Sequence, residues 1–221
     1  NACDHCKLGY IPEPWKQRVA AACAGWQRSH YGWDVDPSII RVVPDVLEAY
    51  ELFLRELVGA GNSVIVPTPA YMPFLSVPKL YDVDVIEIEM LQSGDAETGE
   101  AQWVFDFDAI ERAFAAGCHA FVLCNPHNPI GKVLTLEEEL RLSDLAAQYD
   151  VRIFNDEIHA PFVFEGKHIP FPTISEQAAL QSMTATSASK SFNIPGTKCA
   201  QVLLTNPADR DMWAVKAEWS E

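Results

Sequence analysis

Three short polar segments of the chain contain residues that could do chemistry. Asn128 lies in a stretch rich in Asn and Pro, Asp156 follows an apolar run, and Lys190 is surrounded by serines. An amide, a carboxylate and an amine beside small hydroxyls could together bind a phosphorylated ligand that contains nitrogen. Each residue alone has a plainer interpretation, because Asn-Pro is a common turn and an Asp after a strand is a common helix cap.

The apolar residues around these segments alternate between the spacing of strands and that of helices. Strands are predicted at residues 64–66, 83–88, 120–124, 151–155, 182–185 and 200–205. Helices are predicted at residues 14–29, 44–58, 106–116, 135–149 and 175–180, and from residue 207 onward. This alternation predicts an α/β fold of three layers, a mostly parallel sheet with helices on both faces. Ligands of such sheets bind at the carboxyl ends of the strands, where Asn128, Asp156 and Lys190 fall.

Local signals predict where some of these elements begin and end. Pro44 is expected to open the second helix. Thr135 is expected to cap a helix as a capping box with Glu138. The acidic run at residues 137–139 would then suit the positive end of that helix. The polar, glycine-containing stretch at residues 92–102 predicts a surface loop.

The composition limits what the chain can bind. It has 221 residues, of which 48% are hydrophobic, and its formal net charge at pH 7 is −15. A strongly negative field repels phosphate backbones, so we expect no nucleic-acid partner. No apolar stretch approaches the ~20 residues that a membrane span needs, so we expect no membrane contact and a cytoplasmic location.

The six cysteines do not form an obvious disulfide framework, and no signal peptide precedes them. Cys3 and Cys6 form a lone CxxC without a second pair of ligands nearby, so we expect no metal site. The other four have apolar neighbours and are predicted to be buried free thiols: Cys23, Cys118, Cys124 and Cys199.

Taken together and in order, the polar segments resemble those of the fold type I pyridoxal-phosphate enzymes. Residues 125–131 (NPHNPIG) resemble the NPxNPxG loop of that family, and residues 155–159 (NDEIH) resemble the strand end that bears its cofactor aspartate. Residues 187–196 (SASKSFNIPG) resemble its Schiff-base lysine segment. The amino-acid sequences of these segments and of residues 68–71 (TPAY) more closely resemble the cystathionine β-lyase, or C–S lyase, branch of the class I/II aminotransferases.

The resemblance implies pyridoxal 5′-phosphate as cofactor, with Lys190 bonded to its aldehyde and later free to move the substrate Cα proton. Asp156 would pair with the pyridine nitrogen and keep it protonated. Asn128 would donate a hydrogen bond to the phenolic oxygen, and His159 would lie near that oxygen unless it only caps the strand end. Tyr71 would stack on the ring unless it is a core tyrosine.

The same resemblance implies how the cofactor phosphate is held. Backbone N–H groups of Val42 and Val43, at the start of the second helix, would contact it, because helix N-termini attract anions. Ser187 and Ser189 would supply hydroxyl donors. Lys198 stands where many aminotransferases have an arginine on the phosphate, and it offers charge without a bidentate fork.

The resemblance also divides the chain and implies a partner. Residues 1–7 are interpreted as a tag remnant and an N-terminal segment, and residues 8–206 as the cofactor-binding large domain. Residues 207–221 would begin a helix that leads to a small domain outside the chain. Tyr10 matches a tyrosine that reaches the phosphate of the neighbouring subunit, which implies a homodimer.

The function implied by the resemblance is chemistry on amino acids. We expect β-elimination from cystathionine- or cysteine-type substrates, which yields a thiol, pyruvate and ammonia. Transamination is the alternative within the family, because it uses the same residues. A domain that retains the cofactor fold without catalysis is the alternative of another class, because the region that binds the substrate carboxylate in the family is not matched.

Overall fold

Buried runs of Val, Ile, Leu and Phe form the strands of the central sheet. The structure is a computed structural model that describes residues 11–94 and 102–216. In chain order the strands are β1 (Ile40–Val43), β2 (Ser63–Thr68), β3 (Asp84–Glu89), β4 (Leu91–Ser93), β5 (Gln102–Val104), β6 (Ala120–Cys124), β7 (Arg152–Asp156), β8 (Ser182–Thr186) and β9 (Ala200–Leu203). Seven of them form one sheet in the order β1-β9-β8-β7-β6-β2-β3, and β4 and β5 form a separate antiparallel pair. Within the large sheet β9 runs antiparallel to both of its neighbours, and the other pairs are parallel.

The helices lie on both faces of this sheet. In chain order they are α1 (Glu13–Tyr31), α2 (Val46–Phe53), α3 (Met72–Ser76), α4 (Phe107–Ala115), α5 (Leu136–Gln148), α6 (Glu176–Gln181) and α7 (Pro207–Lys216). A π-helical turn, Leu54–Val58, continues α2. Within the described ranges, no helix combines the length and the apolar character that a membrane span requires.

The alternation of side chains along the strands separates the two larger of three hydrophobic clusters among the described residues. Val122 of β6 and Phe154 of β7 pack in one core with Tyr50 of α2. Phe121 of β6 packs in the other core, with Ile110 of α4 among its neighbours. Because neighbouring residues of a strand point to opposite faces, each face has its own helical layer. The prediction of three layers around a mostly parallel sheet is confirmed.

The helix ends show one confirmed prediction and one that is wrong. The capping box forms: the Glu138 N–H donates to Thr135 Oγ1 at 3.2 Å, and the Thr135 N–H donates to Glu138 Oε2 at 2.9 Å. The second helix does not open at Pro44. It begins at Val46, because the Asp45 side chain accepts the Glu48 N–H at 3.0 Å and therefore caps the helix.

Three other expectations need correction. The predicted loop at residues 92–102 contributes to β4 and β5. Residues 95–101, between those strands, lie outside the described ranges, as do Cys3, Cys6 and Tyr10. β1 was not expected as a strand, and its pairing with β9 is a contact that local sequence does not reveal. All four described cysteines are free, but only Cys118 and Cys124 are buried; Cys23 and Cys199 are partly exposed.

A largely buried ion pair fastens α7 to the sheet. The Arg152 guanidinium donates from Nη1 to Asp209 Oδ1 at 3.0 Å and from Nη2 to Asp209 Oδ2 at 2.5 Å. Its Nε donates to the Gln181 carbonyl at 3.0 Å. The side chain of Asp209 is 1% exposed and that of Arg152 is 22% exposed. Such a two-pronged pair is strong when intact, and it leaves an uncompensated charge when one partner is removed.

We therefore expect Asp209→Ala to lower the free energy of unfolding by on the order of 3 kcal/mol, because it leaves the Arg152 charge largely buried without its partner. Urea denaturation followed by circular dichroism measures this loss. The matched control is Asp34→Ala, whose partner Arg28 lies in a pair with side chains 67% and 73% exposed. Asp34→Ala should lower the free energy of unfolding by less than about 1 kcal/mol. Equal losses in both variants would contradict the assignment.

Candidate functional site

The candidate site is built around Asp156, the last residue of β7. Its register partners are Cys124 of β6 and Ala185 of β8, so it stands at the carboxyl ends of three neighbouring parallel strands. The residue is 5% exposed, and its Oδ1 accepts the Ile158 N–H at 3.0 Å. No described residue donates to Oδ2.

The electrostatic state of Asp156 reflects this burial. Burial raises the pKa of the carboxyl to about 7, and the nearby Glu157 raises it further, against the lowering effects of the Ile158 N–H and the Lys190 charge. The cost of burying a carboxylate falls when a positive group stands beside it. Asp156 is therefore an acceptor prepared for a cationic hydrogen-bond donor.

Lys190 lies in the turn that follows β8. The turn is fixed by the backbone, because the Phe192 N–H donates to the Ala188 carbonyl at 3.0 Å and the Ile194 N–H donates to the Ser189 carbonyl at 2.9 Å. The Lys190 side chain is exposed, and its charge lowers the pKa of Asp156. The structure thus brings Lys190 and Asp156 to the same edge of the sheet, although they are far apart in sequence.

The two serines of this segment have different roles in the structure. The Ser187 hydroxyl donates to the Cys199 carbonyl at 2.9 Å and accepts the Ser189 N–H at 3.0 Å. Its single proton is therefore already used. The hydroxyl of Ser189 has no partner among the described residues, so it is the one of the two that is ready to donate.

Asn128 lies in the loop that follows β6, the strand paired with β7. The loop begins after Cys124, which is the register partner of Asp156. The base of the loop is fixed by Asn125, whose Nδ2 donates to Glu139 Oε1 at 2.6 Å and whose Oδ1 accepts the Leu134 N–H at 3.1 Å. The fold therefore places the loop that carries Asn128 at the same edge of the sheet as Asp156.

Two ring-bearing residues complete the described part of the site. Tyr71 is 38% exposed and packs edge-on against Phe74 at 5.6 Å between ring centroids, so it is not a core tyrosine. His159 is partly buried, and its ring centroid lies 6.2 Å from that of Phe162. Burial lowers the pKa of His159, and the Lys190 charge lowers it further. His159 is therefore near enough to Lys190 for the two charges to interact.

Three of the residues predicted to hold a phosphate, Val42, Val43 and Lys198, lie near the start of α2. Val42 and Val43 end β1 and pair with Gln201 and Ala200 of β9. Lys198 Nζ lies 2.9 Å from Asp45 Oδ2, and this contact raises the pKa of Lys198. The corner therefore contains a helix N-terminus and a cation, but the cation is paired with the capping carboxylate. Tyr10, which was predicted to reach a neighbouring subunit, lies outside the described residues.

A buried polar cluster on the opposite face of the sheet was not predicted. Glu157 Oε1 accepts hydrogen bonds from Asn155 Nδ2 at 2.8 Å and the Phe171 N–H at 2.9 Å, and Glu157 Oε2 lies 3.2 Å from His168 Nε2. Glu139 is also fully buried, and its pKa is raised to about 8, mainly by burial and then by the charge of Glu157. No group of three or more acidic, His or Cys side chains in residues 11–94 and 102–216 is arranged to hold a metal ion.

One sequence signal could have identified part of this cluster. Glu139 lies on the same helical stripe as Leu142 and Ala146, which are buried in α5. It belongs to the acidic run that was expected to stabilise the start of the helix by its charge. That expectation is wrong for Glu139, because a carboxyl with a pKa of about 8 is mostly protonated at neutral pH. An acidic residue at a core position of a helix is the signal for a buried role.

Comparison with known proteins identifies the family of the chain that carries this site. Residues 10–218 match the family described as aminotransferase class I and II. The chain belongs to this family. The resemblance of the three polar segments is thereby confirmed, and so is the fold that it implied.

Relatives of this aminotransferase-family chain include two lyases. Cystathionine β-lyase from Corynebacterium glutamicum is 38% identical over 206 residues, which are 93% of this chain and 52% of that protein. Cystathionine β-lyase PatB from Bacillus subtilis (strain 168) is 30% identical over 209 residues, which are 94% of this chain and 52% of that protein. The crystal structure of cystalysin from Treponema denticola, which contains a pyridoxal 5′-phosphate cofactor, matches with a TM-score of 0.85 at 29% identity. That match covers 95% of this chain and 52% of cystalysin, so the chain spans about half the length of these relatives.

The buried cluster generates a prediction about Glu139. In the unfolded chain the carboxyl loses its proton near its ordinary pKa of 4.5, whereas in the folded chain it does so only near 8. Between these values the folded state binds more protons, so stability is lost as the pH rises from about 4.5 to about 8. Glu139→Gln removes this loss and keeps an oxygen to accept from Asn125. At pH 7 the variant should be more stable than the parent by on the order of 3 kcal/mol.

Urea denaturation at several pH values checks this expectation. The advantage of Glu139→Gln should disappear below pH 4.5. Glu137→Gln is the matched control, because Glu137 is exposed in the same turn of α5 and should show no such dependence. A Glu139→Gln protein that is less stable than the parent at pH 7 would mean that the folded state needs the ionised carboxylate.

Proposed function

We propose that this chain binds pyridoxal 5′-phosphate at the edge where β6, β7 and β8 end. The observation that carries the proposal is Asp156: a carboxylate 5% exposed, with one oxygen that no described residue donates to, in the field of an exposed lysine. A protonated pyridine nitrogen is the kind of donor that such a carboxylate stabilises. Lys190 offers the amine that bonds to the cofactor aldehyde. The cofactor named for cystalysin and the family match support the same assignment.

The other residues of the site fit the remaining parts of the cofactor. We assign Tyr71 to the ring face, because its ring is exposed enough to stack. Asn128 would donate its side-chain amide to the phenolic oxygen, with His159 close to the same atom. The assignment of His159 rests on its interaction with Lys190.

We assign the phosphate to the corner at the start of α2. The hydroxyl of Ser189 would donate to it, together with a backbone N–H of Val42 or Val43. Only one of these two N–H groups is free of the ladder with β9, because successive N–H groups of an edge strand point alternately toward and away from the partner strand. Ser187 could join them only by turning its proton away from the Cys199 carbonyl. Lys198 would have to share its charge between Asp45 and the phosphate, because the two acids would compete for one amine.

The chemistry follows from what these residues can do. The bound cofactor supplies a covalent attachment for the substrate amine and an electron-withdrawing ring. Asp156 keeps the ring nitrogen protonated, which preserves that withdrawal. The Lys190 amine would remove the Cα proton of the substrate and could return it to a neighbouring atom. Tyr71 and Asn128 would keep the cofactor ring in one orientation. The substrate Cα proton would then stay within reach of the Lys190 amine.

We propose β-elimination from a cystathionine- or cysteine-type substrate as the activity of the whole protein. The two relatives described above are named as cystathionine β-lyases, which supports this choice. The sequence motif at residues 187–196 supports it as well. Transamination is the second candidate, because the family includes aminotransferases and uses the same residues for the first proton transfer. A domain that binds cofactor without turnover is the third, since the chain spans about half of those relatives.

We further propose a homodimer in the cytoplasm. The dimer rests on the match of Tyr10 to a tyrosine that crosses a subunit boundary, and two-fold dimers are the commonest soluble assemblies. The formal net charge of −15 disfavours nucleic acid as a partner.

The cofactor assignment predicts which amine is labelled. Sodium borohydride treatment of the chain loaded with pyridoxal 5′-phosphate should attach the cofactor irreversibly to the peptide that contains Lys190, as peptide mass spectrometry would show. Lys190→Arg should abolish the label, because arginine does not form this bond. Lys198→Gln is the matched control and should keep the label on Lys190. Label on another lysine of the parent chain, or no label at saturating cofactor, rejects the assignment.

The reaction assignment predicts a product of the whole protein. A full-length version given cystathionine should release pyruvate without any added 2-oxo acid, because elimination needs no amino acceptor. Coupled oxidation of NADH by lactate dehydrogenase measures the pyruvate. Should pyruvate fail to appear while an added 2-oxo acid is converted to its amino acid, transamination replaces the lyase assignment. Neither product from a protein that binds cofactor would favour the non-catalytic alternative.

A further inference from the structure

A buried histidine joins the two turns that carry Asn128 and Tyr71. His127 is 4% exposed, and its Nε2 lies 2.9 Å from the carbonyl oxygen of Pro69. A carbonyl only accepts hydrogen bonds, so Nε2 carries the proton. Burial lowers the pKa of His127, which keeps the imidazole neutral at pH 7 with that proton in place.

We propose that His127 is a positioning residue that fixes the distance between Tyr71 and Asn128 in the cofactor site. His127 directly precedes Asn128, and Pro69 lies two residues before Tyr71. The assignment of a cofactor to these two residues rests on the proposed function. The contact between the turns does not.

The pairing of the strands explains why this contact is needed. β6 and β7 pair from Ala120–Arg152 to Cys124–Asp156, so their carboxyl ends are held in register. β2 and β6 share a single paired position, Ile65–Phe121, which lies before the end of either strand. The paired position of these two neighbouring strands therefore lies before the turns that follow them. The hydrogen bond from His127 connects those turns beyond it.

The histidine can transmit position because its own backbone is fixed. The His127 N–H donates to the Lys132 carbonyl at 2.7 Å, and the His127 carbonyl accepts the Gly131 N–H at 2.7 Å. On one side of it, the loop that carries Asn128 is fixed at its base by Asn125, whose Nδ2 donates to Glu139 Oε1 at 2.6 Å. On the other side, the Tyr71 carbonyl accepts the Phe74 N–H at 2.9 Å, which couples Tyr71 to the start of α3.

Hydrogen exchange of the chain without cofactor tests the connection directly. His127→Leu should speed the exchange of the Phe74 and Val77 amides about fivefold, because it removes one hydrogen bond that restrains the turn. His127→Gln should leave these rates near the parent values, because its amide can still donate to Pro69. His119→Leu is the matched control: His119 Nδ1 lies 3.0 Å from the Tyr149 carbonyl, at the other end of β6. Unchanged rates in His127→Leu, or an equal rise in His119→Leu, overturn the proposal.

A double-mutant cycle tests the consequence for the cofactor. The ligand is 4′-deoxypyridoxine 5′-phosphate, which has no aldehyde and so reports on the ring without Lys190. His127→Leu should weaken its binding about fivefold, and Tyr71→Ala should weaken it less in the His127→Leu background than in the parent. Additive effects overturn the positioning role. A parent chain that binds neither this analogue nor the cofactor would reject the proposed function, and the exchange rates would still decide whether His127 couples the turns.

Discussion

A carboxylate buried at the end of a central strand is the constraint around which this site is arranged. Asp156 has one hydrogen bond from the backbone and is otherwise surrounded by the ends of β6 and β8. Its pKa of about 7 measures how poorly the site stabilises an isolated negative charge. Such a position is costly for folding, and it becomes favourable only when a positive donor is supplied.

The two faces of the sheet differ in what they contain. One carries the candidate cofactor site, and the other carries a buried polar cluster beneath it. Asp156 and Cys124 point to the face covered by α2, where the candidate cofactor site lies. The residues that alternate with them point to the other face, where Asn155 and Glu157 form a polar cluster. Asn125 connects the cluster to the loop of Asn128 through Glu139. Breaking the hydrogen bonds of such a cluster is costly, because the surrounding medium has a low dielectric. Some of its buried atoms, such as Asn155 Oδ1 and Glu139 Oε2, have no hydrogen-bond partner among the described residues.

The sequence predicted what depends on local pattern and missed what depends on long-range contact. The strand ends that carry Asn128, Asp156 and Lys190 were predictable, because apolar runs followed by polar residues indicate both the strand and its functional end. β1 was missed because its four residues are stabilised by pairing with β9. The use of the Ser187 proton by the Cys199 carbonyl, and of the Lys198 charge by Asp45, depends on distances that no motif contains. Glu139 was misread because three adjacent acids look alike in sequence, although only the last of them is buried.

The position of β9 has a consequence for how the protein is made. Among the described strands, β1 pairs only with β9, and β9 is the last of them in chain order. During synthesis, β1 therefore leaves the ribosome before its partner strand. It cannot pair until the segment that contains Lys198 and β9 has also been synthesised. The corner formed by Val43, Asp45 and Lys198 is then among the last parts of the sheet to assemble, because its halves come from opposite ends of the fold. A ligand that binds this corner would contact two distant parts of one chain. Because it binds only when both parts are in place, it would stabilise the assembled state during biogenesis.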